Sequence, residues 1–292
     1  MKTESKVLVT LRRRKLERVV NTARNTVCTA RAAGHYLLPT DRPLPNFVIL
    51  GAQRGGTTSL YADLSAHPLV VEAITKEVQF FTVQSNRGER WYRSHFPRLQ
   101  SGQQTFEASP YYLFHPGVPA RAAAMLPETK FIVLLRDPVT RAYSHYLHSR
   151  ALGAETLTFE QALDAEDTRL AKAESLGLDS RVGRSLHRDF SYVSRGMYAS
   201  QLERWLAYVP QSRIKIIKSE DWHGKPREVY ADLLSYLRLP CNIPERFTKA
   251  NALGSSQHSS SINPTTYFRL RHQFATDSER VRSLLGWESC WS

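Results

Sequence analysis

The stretch Phe47-Val48-Ile49-Leu50-Gly51-Ala52-Gln53-Arg54-Gly55-Gly56-Thr57-Thr58-Ser59-Leu60 constrains this chain more than any other. An apolar, partly β-branched run enters a glycine-rich turn with one cation, Arg54. Hydroxyl residues follow, then an amphipathic stretch (Leu60, Tyr61, Leu64) that runs to His67-Pro68. This order predicts strand, loop and helix N-terminus, the arrangement that binds phosphate through exposed backbone N–H groups and the helix dipole. Gly55 and Gly56 carry no Cβ, so the backbone there can approach an anion closely. Gly51 and Gly56 have the spacing of a G-x-x-x-x-G-K-[ST] loop, but Thr57 stands where the lysine that reaches the β/γ-phosphates belongs. That weakens an ordinary ATPase or GTPase reading. A glycine-rich strand–helix turn without a ligand is the plainer alternative.

Elsewhere the pattern alternates strands and helices. Thr105–Ala108 reads as a short strand, and Phe131–Leu135 as a fully apolar one of the kind found in the middle of a parallel sheet. Asp137-Pro138 ends that strand and starts a helix from about Val139 to Arg150, since proline suits a first helical turn. Helices are expected near 159–175, 197–208 and 227–237, with a strand at Ile214–Ile217. The fold class is therefore α/β: a three-layer, P-loop-like arrangement with a central, mostly parallel sheet flanked by helices. Ligands are expected outside the carboxyl ends of its strands.

At 292 residues and 41% hydrophobic content, the chain is long enough for a large core. A formal charge of +13 implies anionic partners without choosing among nucleotides, sulfated or phosphorylated polymers, nucleic acid and membrane surface. No run approaches the roughly 20 apolar residues that cross a bilayer, and Val7–Leu11 is too short for the core of a secretory signal. Cys28, Cys241 and Cys290 form neither a metal-ligand cluster nor an even disulfide framework. A reducing cytoplasm fits that usage, and no metal is expected. Residues 1–45 read as a basic helical extension and linker. Arg12-Arg13-Arg14-Lys15 and Arg18 suit either a peripheral membrane or anionic contact, or a solvated helix packed loosely on the domain. Residues 46–292 form the main domain.

Arg136 lies at the carboxyl end of the best central strand, and Ser144 on the helix after it. An arginine fork plus a hydroxyl suits a second phosphate. Two anion sites fit a ligand with phosphates at two positions. Here the sequence resembles the sulfotransferases that use 3′-phosphoadenosine 5′-phosphosulfate (PAPS), above all the carbohydrate-modifying branch with the heparan sulfate N- and O-sulfotransferases and their bacterial relatives. Gln53–Leu60 resembles the family's 5′-phosphosulfate loop, and Leu135–Ser144 its 3′-phosphate motif, with Arg136 and Ser144 as the binding pair. Lys76-Glu77-Val78-Gln79-Phe80-Phe81 is similar to the segment with the catalytic glutamate of the heparan enzymes. Arg90–Pro97, Glu107–Tyr112 and Arg195–Leu206 resemble further family blocks, in order over residues 46–290.

The resemblance implies a sulfotransferase that moves a sulfuryl group from PAPS to a hydroxyl or amine of a carbohydrate or small-molecule acceptor. Glu77 is the expected base, its alternative being an ion pair with Lys76 or Arg54. Arg54 and the N–H groups of Gly55, Gly56, Thr57, Thr58 and Ser59 are expected to hold the 5′ anion and stabilise the departing phosphate. The family usually has lysine at Arg54, and arginine does not donate a proton. His148, one turn beyond Ser144, resembles a site histidine that positions the acceptor or stabilises the transferring group; His145 and Arg141 are placed away from the ligand, with Arg141 able to assist the phosphate. Tyr198 is expected to contact the adenine side or to pack beneath it.

Two departures stand out. The serine-rich stretch 251–261, in the place of a lysine-glycine loop closed by a disulfide, has no Lys-Gly pair and no flanking cysteines. Gln79 stands where O-sulfotransferases often have histidine, and hints at amine chemistry. The basic surface favours an anionic acceptor; nucleic acid is not expected. The rival readings are a nucleotide phosphotransferase on the same loop and a non-enzymatic basic binder of anionic polymers.

Overall fold

The computed structural model describes residues 27–37, 42–248 and 262–291. The basic block at 12–18 and the serine-rich stretch at 251–261 lie outside the described residues. Five strands, β1 (Phe47–Gly51), β2 (Val70–Glu72), β3 (Gln104–Ala108), β4 (Lys130–Leu135) and β5 (Ile214–Lys218), form one sheet in the order β2-β3-β1-β4-β5. Every pairing is parallel. The helices that matter below are α1 (Thr57–Ser65), α2 (Pro138–Ala151), α3 (Arg181–Asp189), α4 (Tyr198–Leu206), α5 (Pro226–Leu237) and α6 (Pro264–Leu285).

Strand side chains alternate faces, and the two faces of the sheet bury different partners. Val48, Leu50, Phe131, Val133 and Leu135 pack with Tyr198, Leu202 and Trp205 of α4. Phe47, Ile49, Phe106, Ile132 and Leu134 pack with Leu60 and Leu64 of α1 and with Leu233, Leu234 and Leu237 of α5. Burial on both faces explains why β1 and β4 read as unbroken apolar runs. A third cluster joins Val139, Ala142 and Tyr146 of α2 to Phe159, Tyr192 and to Leu270 and Phe274 of α6.

The carboxyl ends of β1 and β4, the two central neighbours, therefore open side by side. Asp137 makes the second end: its side chain accepts from Thr140 N at 2.8 Å, capping α2, and Arg271 of α6 reaches its Oδ2 at 2.5 Å. The expected helix over 159–175 divides into Phe159–Asp164 and Glu166–Ser175. Residues 27–37 are helical, and Cys28 Sγ donates to Ile74 O at 3.1 Å, so this part of the extension lies against the domain. The three cysteines are free. Among the described residues no helix is long and apolar enough to cross a membrane.

Candidate active site

Beyond β1 the chain turns so tightly against β4 that Ala52 N donates to Leu134 O at 2.7 Å. A Cβ at Gly55 would lie 2.6 Å from Leu134 O and 3.0 Å from Ala52 O, so only glycine fits there. Arg54 sits in the left-handed region at φ 69°, which costs a non-glycine residue roughly 1 kcal/mol. The turn sends its guanidinium to α2, where Nε donates to Ser144 Oγ at 3.0 Å. Gly56, at φ 98°, begins α1 with no side-chain cap and no acidic residue in the first turn. Gly55 N donates to Ala52 O at 2.9 Å and Ser59 N to Gly56 O at 3.1 Å, so of the five N–H groups expected at the anion it is those of Gly56, Thr57 and Thr58, with the positive end of the helix dipole, that face it. Thr57 and Ser59 are buried and Thr58 is exposed.

Arg136 follows β4 and closes on the same loop: its guanidinium donates to the Arg54 carbonyl at 3.3 Å. Tyr198, fully buried, lies beneath it, donating its hydroxyl to the Arg136 carbonyl at 2.9 Å and packing its ring 5.5 Å from that of Trp291. Burial lowers the pKa of Arg54, and the charge of Arg136 lowers it further. Two like charges held together and half-desolvated are costly, and a dianion between them would relieve both terms.

More cations stand behind the loop. Arg195 donates to the Gln53 side chain and lies over the rings of Tyr111 and Phe114 at 5.0 and 5.2 Å, while its Nε and second terminal nitrogen make no hydrogen bond, and burial brings its pKa down to about 9. Arg141, fully buried, donates to Tyr192 O and leaves Nε and NH1 without partners. These buried guanidinium groups add positive potential behind the glycine loop, which suits a polyanionic ligand in front of it.

Glu77 is exposed on the loop between β2 and the one-turn helix Phe80–Val83, and accepts from Gln79 Nε2 at 3.1 Å. Its neighbour Lys76 turns toward the phosphate loop and donates from Nζ to Thr58 Oγ1 at 2.7 Å. Burial lowers the Lys76 pKa against the raising effect of Glu77. His148 is half-buried on α2; burial and then the charge of Arg54 lower its pKa, with Asp189 opposing, so the ring is neutral at pH 7. His145 is buried on another side of α2, its ring 5.0 Å from that of Tyr192, and its pKa falls well below the usual value through burial and then Arg141 and Arg195. The last turn of α3 completes the enclosure. Arg188 bonds Asp189 at 2.8 and 3.2 Å, which raises its pKa, and Glu77 adds to that through space.

The structure thus brings Arg54, Arg136, Ser144 and the Gly55–Ser59 turn together, with His148 and Glu77 around them, while Tyr198 acts from below through Arg136. Sequence reasoning missed Lys76 as a loop contact, Arg195 as the partner of Gln53, and α3 with Arg188. Lys76 and Arg195 each open a block already singled out, so the signal was present. α3 buries only Gly183 and His187, which show no apolar period.

Comparison with known proteins agrees with this geometry. Residues 44–283 match the family described as Sulfotransferase domain. Human heparan sulfate glucosamine 3-O-sulfotransferase 3B1 is 35% identical over 205 residues, 70% of this chain and 49% of that protein. The bifunctional heparan sulfate N-deacetylase/N-sulfotransferase of Drosophila melanogaster is 34% identical over 218 residues, covering 67% of this chain and 20% of that one. The chain thus spans about half the length, or less, of these relatives. The crystal structure of a sulfotransferase from Alicyclobacillus acidocaldarius superposes with a TM-score of 0.70 at 28% identity, covering 85% of this chain and 98% of that one. With the match running from just before β1 into the last described helix, this chain belongs to the sulfotransferase domain family.

Proposed function

We propose that this protein transfers a sulfuryl group from PAPS to a hydroxyl or amine of a carbohydrate acceptor. The observation that carries the reading is the fusion of two anion cradles, in which Arg54 reaches Ser144 and Arg136 reaches the Arg54 carbonyl. A nucleotide with a 5′ anion and a separate 3′-phosphate matches two such cradles; a simple triphosphate needs one. Bound PAPS would supply the activated sulfuryl group and a phosphate leaving group.

Arg54 and the turn Gly55–Ser59 hold the 5′ side, and Arg136 with Ser144 the 3′-phosphate. As charge grows on the departing phosphate, Arg54, the N–H groups of α1 and Lys76 stabilise it electrostatically. Glu77 takes the acceptor's proton while the acceptor attacks sulfur in line. His148, neutral, is placed to orient the acceptor by a hydrogen bond. Arg181, Arg184 and Arg188 recur along one face of α3, with Arg188 within reach of the Glu77 charge, which favours an acceptor carrying carboxylate or sulfate. The relatives, which are named for heparan sulfate, support the same class.

Calorimetric titration with 3′,5′-diphosphoadenosine, ATP and AMP tests the donor. Selective binding of the diphosphate, weakened at least ten-fold in Arg136→Ala, is expected. Preference for ATP would return the chain to the phosphotransferase reading. Glu77→Gln is expected to keep the diphosphate affinity and lose transfer to heparan oligosaccharides; transfer at the wild-type rate would remove Glu77 as the base.

A further inference from the structure

A polar island interrupts the apolar face of the sheet beside β3. Glu107 is fully buried there. Tyr92, from the helix Gly88–Arg93, donates its hydroxyl to Oε1 at 2.6 Å, and Tyr112 donates to the same oxygen at 3.1 Å. Ser109 Oγ donates to Oε2 at 2.7 Å. The Ser109 oxygen in turn accepts the peptide N–H of Gln79 at 3.1 Å. Ala108 N donates to the carbonyl of Lys76 at 3.2 Å. The segment that carries Glu77 is therefore tied to the end of β3 on both sides of that residue, at 76 and at 79.

Gln79 needs that tie. Its φ of 52° is left-handed, a conformation that persists for a non-glycine residue only when its surroundings hold it. The rings of Phe80 and Phe81 lie 4.6 Å from Tyr92 and 5.4 Å from Tyr112, so the donors to Glu107 cannot swing away. We propose that Glu107 is a positioning residue: by fixing Ser109 as a donor toward itself, it aims the Ser109 lone pairs at Gln79 N and sets where Glu77 stands over the phosphate loop. This rests on Glu77 being the base.

The ionisation of Glu107 gives the arrangement a pH dependence. Burial raises its pKa to about 7, against the hydrogen bonds of Tyr92, Ser109 and Tyr112 and the N–H of Val78. The titratable groups that face it are Tyr92 and Tyr112, both pushed well above their ordinary value and neutral throughout. As a carboxylate, Glu107 only accepts, so all three hydroxyls must point at it. Once protonated it becomes a donor as well, and the order that holds Gln79 loosens.

Amide hydrogen exchange at Gln79 and the pH profile of kcat, with PAPS and a heparan oligosaccharide, test the proposal on the full chain. Ser109→Ala is expected to speed exchange at Gln79 about ten-fold or more and to lower kcat, with the 3′,5′-diphosphoadenosine affinity unchanged. Wild-type Gln79 should exchange more slowly above pH 7 than below it, after correction for base catalysis, and Glu107→Gln should abolish that step and the matching inflection in kcat. Gln79 exchange at the wild-type rate and pH dependence in both variants overturns the proposal. Full transfer by Glu77→Gln would instead remove the base reading, leaving the exchange result to stand alone.

Discussion

Replacing Gly55 by alanine probes the closest approach in the site. The added methyl would lie 2.6 Å from Leu134 O and 3.0 Å from Ala52 O. Carbon and oxygen rest near ~3.3 Å, so the contacts are roughly 0.7 and 0.3 Å too short. Both neighbours are backbone atoms, one at the end of a central strand and the other in the loop itself, so neither yields by a rotamer change. Overpacking of this kind costs about 1–3 kcal/mol. For a domain of this size that is a fall in Tm of roughly 2–6 °C. The displaced loop also moves Arg54, and the affinity for 3′,5′-diphosphoadenosine should drop by about ten-fold, or 1.4 kcal/mol. Gly224→Ala is the control: nothing lies within 4 Å of its Cβ position and its φ is not positive, so both readings should stay at wild type. Differential scanning calorimetry and isothermal titration decide the matter. A Gly55→Ala protein with wild-type Tm and wild-type affinity would refute the close-approach reasoning.

Ser144→Ala removes the acceptor of Arg54 Nε at 3.0 Å; diphosphate affinity should fall by about 1–2 kcal/mol, measured by titration, with little change in Tm. Asp137→Ala deletes the cap of α2 and strands Arg271, and should cost about 1–3 kcal/mol in urea unfolding. Burial lowers the pKa of His187 to about 3 and of His115 to about 4. The unfolded chain binds those protons from about pH 6.5 downward and the folded one does not, so stability is present above 6.5 and lost on acidification toward 4 and 3. Glu107 works in the opposite sense between about 4.5 and 7, because its raised pKa makes the folded state the better proton binder. With two histidines against one carboxyl, net acid lability below pH 6.5 is expected, and His187→Gln should flatten that slope in pH-dependent denaturation.

Much of the donor side was legible because its signals are local. Gly55, Gly56 and Arg54 between an apolar strand and an amphipathic helix, and Asp137-Pro138 after Phe131–Leu135, each announce their own conformation within a few residues. β1 and β4 also gave themselves away, since burial on both sides leaves no polar alternation to confuse them. α6 escaped notice although it is the longest described helix. Its buried face includes Thr266, Asp277 and Ser278 alongside Leu270, Phe274 and Val281, so half the period is polar. α3 was hidden for a similar reason. The burial of Glu107 and Arg141 was hidden, because a charged residue beside apolar neighbours reads as a solvated position until its partners, 15 and 51 residues away, are known.

The distant ties of α6 bear on how the protein is made. Residues 54–59 and 136–148 leave the ribosome well before Arg271, which reaches the cap of α2, and Asp277, whose carboxylate accepts from Ala199 N at 3.2 Å at the start of α4. A nascent chain that ends short of α6 carries both cationic loops with the helix ends behind them still open. Completion of the donor site therefore waits on α6, and the two cationic loops gain fixed helix ends only once that helix has docked.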